Sequence, residues 1–238
     1  MLKNQIPNLL TLANLLCGLC IIIASFQLNF ISVLYFAVAA LAFDFLDGTA
    51  ARMLNVSSAI GKELDSMADN ISFGAAPALV LFNYWQNEIG MSSEGLNFSW
   101  PELAVYSSLI ISASAAYRLA KFNISEQNND YFKGLPTPAF ALACFALPLA
   151  AEQMEITNVV FNHPLFIIGF VVLGSYLMVG NLKLFSLKIG SKNKTLNRIR
   201  IALIIVCIFL IAVLQFFGVF LCLIMYILFS LAVQKQIT

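Results

Sequence analysis

The sequence predicts an all-α polytopic membrane protein of about eight transmembrane helices, with both termini on the cytoplasmic side. Three observations carry that expectation. Of 238 residues, 61% are apolar and only 11% are charged, with a mean hydropathy of +0.88, whereas soluble domains carry about 25% charged residues. Apolar runs near the length that crosses a hydrocarbon core, roughly 20 residues, recur along the chain. The basic residues also segregate to alternate connections. A net charge of +1 and no basic groove interleaved with aromatics exclude a nucleic-acid partner. The length leaves no room for a separate soluble domain, so residues 1–238 read as one integral membrane unit.

The first helix, about Asn8–Phe26, has Lys3 as its one preceding basic residue and is diluted by Asn8 and Asn14. It reads as a retained membrane helix rather than a cleaved leader. Apolar runs place a second helix at Ile31–Leu54, a third at Leu64–Trp85 and a fourth at Glu102–Phe122. A fifth, Thr137–Ala151, is the shortest, with Pro136 and Pro138 at its start, where proline is favoured. The sixth spans Pro164–Leu182. The last apolar stretch is too long for a single span at about 1.5 Å per residue. It divides into Ile199–Phe216 and Phe217–Val233, with a break near Gly218.

With the amino terminus inside, every Lys and Arg falls at or near the cytoplasmic face. These are Lys3, Arg52, Lys62, Arg118, Lys121, Lys133, Lys183, Lys188, Lys192, Lys194, Arg198, Arg200 and Lys235. The outer connections hold Glu88, Glu94, Glu102, Glu152 and Glu155 and no basic residue. Lysine and arginine bias sets orientation, which favours an even number of spans. The cysteines, Cys17, Cys20, Cys144, Cys207 and Cys222, all lie in apolar runs. They read as small packing residues, with no second pair to complete a zinc site.

Against this background residues 44–69, DFLDGTAARMLNVSSAIGKELDSMAD, are anomalous. An aspartate at the centre of a membrane helix costs about 2.5 to 3.5 kcal/mol, and this stretch holds Asp44, Asp47, Asp65 and Asp69. Asp44 and Asp47 are spaced i, i+3 on helix two, and Asp65 and Asp69 are spaced i, i+4 on helix three. Each pair therefore shares a helix face. A hairpin with its bend on the cytoplasmic side brings the two faces together. Converging carboxylates repel, and Arg52 and Lys62 are too few to neutralise them. Hard divalent cations suit such an oxygen-rich set, and a pair of them suits phosphoryl chemistry. Gly48, Ala50, Ala51, Gly61 and Ala68 leave room for a bulky anionic group beside the carboxylates.

The pattern D-x2-D-G-x2-A-R-x8-G-x3-D-x3-D is met by Asp44, Asp47, Gly48, Ala51, Arg52, Gly61, Asp65 and Asp69. It resembles, position for position, the signature of the CDP-alcohol phosphatidyltransferase family. The resemblance implies a six-helix core over about residues 1–183, followed by a C-terminal helical hairpin over about residues 196–235. It implies that Asp44, Asp47, Asp65 and Asp69 hold magnesium or manganese, or calcium, with two ions per site. It places Asp47, Gly48, Ala51, Arg52 and Gly61 around CDP-diacylglycerol and makes Asp69 the general base. An alcohol hydroxyl would then attack the β-phosphorus and release CMP. A homodimer in the cell (inner) membrane, with its active site facing the cytoplasm, is also implied.

Three further segments, IPNLLTLANLLCG, RLAKFN and FKGLPTPA, are similar to those of the membrane-embedded phosphatidylserine synthases within that family. L-serine is then the expected acceptor, and glycerol 3-phosphate or an inositol phosphate is the alternative. Arg118, Lys121 and Lys133 are candidates for the serine carboxylate or a donor phosphate. Asn14 and Asn123 are candidate hydrogen-bonding partners. His163 is assigned no chemistry. A divalent-cation carrier is the competing reading from another class; it would want polar residues on several helices through the midplane.

Overall fold

The computed structural model describes residues 2–56, 58–91, 99–124, 131–153, 155–185 and 194–237; Glu94, Lys188 and Lys192 lie outside the described residues. Helices dominate: α1 (Leu2–Phe26), α2 (Phe30–Leu54), α3 (Ala59–Asp69), a π-helical turn (Asn70–Ala75), α4 (Ala76–Ile89), α5 (Trp100–Ser107) and α6 (Ile110–Ile124). There follow strand β1 (Tyr131–Lys133), α7 (Thr137–Glu152), α8 (Glu155–Phe161), α9 (Pro164–Val179), strand β2 (Lys183–Phe185) and α10 (Lys194–Ile237). Among the described residues, four stretches are helical, long and apolar enough to cross a membrane: Gln5–Phe26, Phe30–Leu54, Trp100–Ile124 and Asn197–Leu231. The α8–α9 pair, bent by 71°, makes a fifth if it counts as one span. The protein is an integral membrane protein.

Side-chain exposure has the polarity expected of a lipid-embedded bundle. On α1, Leu9, Leu16 and Ile23, seven residues apart, are 63%, 61% and 58% exposed. The opposite face of the same helix buries Thr11, Asn14 and Ser25. Water would reverse that arrangement; lipid favours it, because buried polar groups can pair inside the protein. Helix α7 sits at the centre, with Phe140, Cys144, Phe145, Leu147 and Ala151 buried, and packs on α2, α4 and α10. Many of its residues are small, so neighbouring helices approach closely.

Several boundaries differ from the sequence expectation, each for a local reason. The third helix begins at Ala59 instead of Leu64, because Ser58 caps it by accepting from the Gly61 N–H at 2.9 Å. Its first turn is polar and invisible to a hydropathy count. The helix then widens through the π-helical turn before α4. The sixth helix stops at Val179, short of Leu182. Gly180–Leu182 leaves the helix because β1 and β2 pair antiparallel, Phe132 opposite Leu184, and Gly134 N–H bonds to Leu182 O at 2.8 Å. These short strands are an addition to the all-α expectation. Gly134 is required here: its φ is +78°, and a Cβ would strike the carbonyl oxygens of Met178 and Gly180. Helix α8 is a further element, within the outer connection between the fifth and sixth expected helices.

The terminal stretch does divide near Gly218, with the turn itself three residues earlier at Gln215 (φ 50°, ψ −121°). The Gln215 side chain accepts from Gln153 Nε2 at 2.8 Å, and Phe217 N–H bonds to Gln153 Oε1 at 3.1 Å. Gly218 instead marks where the second arm crosses the first, since a Cβ there would meet the Leu210 backbone. Rings of Phe161, Phe166, Phe170, Phe217 and Phe220 lock this turn against α8 and α9.

Candidate active site

The α2–α3 hairpin packs on α1, and a cavity of about 280 Å³ opens where the three meet. Pro7, Asn8 and Thr11 of α1 form one wall, Asp47, Gly48 and Ala51 of α2 a second. Val56, Ser58, Gly61, Lys62 and Asp65 complete it from the connection and α3. Gly61 faces α1 closely, and a Cβ there would lie 3.1 Å from Asn8 Oδ1. Five signature positions therefore share the cavity lining: Asp47, Gly48, Ala51, Gly61 and Asp65.

Asp44, Asp47 and Asp65 each offer one oxygen within 4.8 Å of the others. Asp69 stands outside that trio but within electrostatic range of all three. The carboxylates receive hydrogen bonds from neutral groups. Thr11 Oγ1 donates to Asp47 Oδ2 at 2.6 Å, and Asn14 Nδ2 donates to Asp69 Oδ1 at 3.1 Å. Asp65 Oδ1 is buried with no hydrogen-bond partner. A buried carboxylate oxygen left unpaired is costly, and hard oxygen donors clustered at this spacing fit a divalent cation. The donor set passes the test for such an ion.

The π-helical turn after Asp69 carries the support for this arrangement. Such turns are rare and often lie at functional sites. Ser72, inside it, donates to Asn14 O at 3.0 Å, and Gly18 of α1 lies so close to Ser72 that a Cβ would collide. Helices α1 and α3 are thereby clamped at the level of Asp69.

The remaining sequence candidates have diverse placements. Arg52 is absent from the cavity lining; its Nη2 donates to Thr49 Oγ1 on the same helix at 3.2 Å. Arg118 is 8% exposed, donates from Nη1 to Thr137 Oγ1 at 2.7 Å, and keeps Nε buried without a partner. It lies in electrostatic range of Asp69. Lys121 instead ties α6 to the end of α9, through Val179 O at 3.2 Å and Asn181 Oδ1 at 2.8 Å. Asn123 Nδ2 is spent on Ser66 Oγ at 2.7 Å, joining α6 to α3. Lys133 is exposed on β1. Asn14 contacts Asp69 directly.

Sequence reasoning overlooked Asn8, Thr11, Ser58 and Ser72. A signal existed for two of them: Asn8, Thr11 and Asn14 recur every third residue in an apolar run, one polar helix face.

Comparison with known proteins agrees with this geometry. The family model described as CDP-alcohol phosphatidyltransferase matches residues 4–174. The chain belongs to the CDP-alcohol phosphatidyltransferase family. The match covers all four aspartates and stops before the terminal hairpin. Among curated relatives, the CDP-diacylglycerol–serine O-phosphatidyltransferase of Bacillus subtilis is 34% identical over 180 residues, covering 76% of this chain and 89% of the relative. The protein of the same name from Helicobacter pylori is 34% identical over 179 residues, covering 74% and 70%. That of Methanocaldococcus jannaschii is 37% identical over 138 residues, covering 58% and 57%. Membership in a transferase family removes the support for a cation carrier.

Proposed function

We propose that this enzyme transfers the phosphatidyl group of CDP-diacylglycerol to the hydroxyl of L-serine, giving phosphatidylserine and CMP. The observation that carries the reading is the clustering of Asp44 with Asp47 and Asp65, the latter two on the cavity wall, in a chain similar to serine phosphatidyltransferases. Asp44, Asp47, Asp65 and Asp69 would hold two divalent cations, magnesium or manganese. When bound, those ions offset the diphosphate charge and stabilise the leaving phosphate.

The chain's own residues do the rest. Gly48, Ala51 and Gly61 give the cytidine diphosphate close access to the backbone of α2 and α3. Asp69, with one oxygen held by Asn14, keeps its other oxygen for the acceptor. The serine oxygen attacks the β-phosphorus as its proton passes to Asp69. The bond from that phosphorus to the bridging oxygen breaks, and CMP leaves with the electron pair. Arg118, buried with an unspent Nε, binds the serine carboxylate. A phosphorylated acceptor would want a denser arginine cluster beside the aspartates than Arg118 and the exposed Arg52 supply, which favours serine over glycerol 3-phosphate or an inositol phosphate.

The topology that goes with this reading has eight spans and both termini in the cytoplasm. It comprises a six-helix core and the terminal hairpin, in a homodimer in the inner membrane. The site then opens to cytoplasmic serine. The test is a panel of acceptors offered to purified protein with CDP-diacylglycerol and magnesium. Release of CMP with serine alone is expected; release with a phosphorylated acceptor and not with serine overturns the assignment.

A further inference from the structure

Among the residues lining the cavity, the single cation is Lys62, beside Asp47 and Asp65. The signature's own cation, Arg52, is engaged on Thr49 outside that lining. Lys62 Nζ donates to Asn123 O at 3.3 Å, a long bond to a neutral carbonyl near the end of α6. That is a weak resting place for an ammonium group. Charge-assisted hydrogen bonds to phosphate are shorter and roughly twice as strong. The four-carbon stem of lysine lets the ammonium swing without moving the backbone. Residue 62 also lies in the first turn of α3, whose cap Ser58 shares the cavity rim. A helix N-terminus favours an anion there.

We propose that Lys62 binds the diphosphate of the cytidine diphosphate donor, leaving Asn123 O as the donor enters. In sequence, Lys62 reads as a topological charge and as one of two cations too few to neutralise the aspartates; the cavity gives it a ligand. The exchange replaces a neutral acceptor by an anionic one. The bond between Asn123 Nδ2 and Ser66 Oγ keeps α3 and α6 joined while the lysine moves. This inference rests on the donor assigned in the proposed function.

The experiment measures binding of CDP and of cytidine to the purified full-length protein with magnesium, comparing wild type, Lys62→Gln and Lys62→Arg. Lys62→Gln is expected to weaken CDP about tenfold, the loss of one charge-assisted bond. Cytidine, without phosphates, should bind all three alike, and Lys62→Arg should stay near wild type. In turnover, Lys62→Gln should raise the KM for CDP-diacylglycerol and leave the KM for serine unchanged. Wild-type affinity for CDP in Lys62→Gln overturns the inference. Equal weakening of CDP and cytidine also overturns it, because the residue then acts on the shape of the site. A wild-type protein that binds no CDP overturns the donor assignment itself, a result distinct from either.

Discussion

Asn14 Nδ2 donates to Asp69 Oδ1 at 3.1 Å, linking residues 55 positions apart at the heart of the α1–α3 contact. Asn14 is fully buried, and its own backbone carbonyl is held by Ser72 Oγ. One oxygen of Asp69 is thus fixed by a neutral donor, which orients the other. Replacing Asn14 by Leu removes that donor while keeping similar bulk. The expected result is a fall in kcat of about a hundredfold, the cost of a small misplacement at a reacting centre. The KM for CDP-diacylglycerol should stay close to wild type. Steady-state CMP release by Asn14→Leu checks both.

Thr11 plays the corresponding part for Asp47, through a 2.6 Å hydrogen bond. Groups that orient a ligand carboxylate typically contribute 10- to 100-fold in metal affinity or activity, so Thr11→Val should need about tenfold more magnesium for half-maximal activity. Thr11→Ser, which keeps the hydroxyl, should restore the wild-type requirement. Magnesium titrations of CMP release measure the difference.

Metal removal gives a broader expectation. Stripping the protein with excess chelator should abolish CMP release, and magnesium or manganese should restore it. The reason is the donor set: clustered carboxylate oxygens from Asp44, Asp47 and Asp65, one of them buried without a hydrogen bond. Undiminished turnover after stripping would separate these aspartates from metal binding.

The β1–β2 ladder carries a stability prediction. Gly134 adopts φ +78° against the carbonyls of Met178 and Gly180, which are backbone and cannot swing aside. Gly134→Ala should destabilise by more than about 1 kcal/mol, through both the backbone conformation and the clash. A lowered thermal midpoint in detergent reports it. Gly169→Ala, where a Cβ meets nothing within 4 Å, serves as the control.

Much of this arrangement is legible in the chain because it depends on local periodicity. Apolar runs mark the helices, and the i, i+3 and i, i+4 spacings put Asp44 with Asp47 and Asp65 with Asp69. Features set by neighbours in space are not legible in that way. The β1–β2 pairing exists because the ends of α6 and α9 arrive side by side, and no three-residue stretch announces it. Lys121 and Asn123 look like substrate ligands in sequence, yet they tie α6 to Asn181 and Ser66. Arg52 follows the family spacing, yet its guanidinium rests on Thr49 while Lys62 lines the cavity. Hydropathy missed the first turn of α3 because Gly61, Lys62 and Glu63 are polar or small, and a cap from Ser58 starts the helix there.

The most direct test follows labelled serine into lipid. Wild-type protein and Asp69→Asn are reconstituted in vesicles with CDP-diacylglycerol and magnesium, and incorporation of serine into phosphatidylserine is measured. The account predicts steady incorporation by the wild type and loss of about a thousandfold or more in Asp69→Asn, as expected on removing a general base that also holds metal, with the thermal midpoint preserved. Near-normal incorporation by Asp69→Asn, or none by the wild type while another alcohol releases CMP, would contradict it.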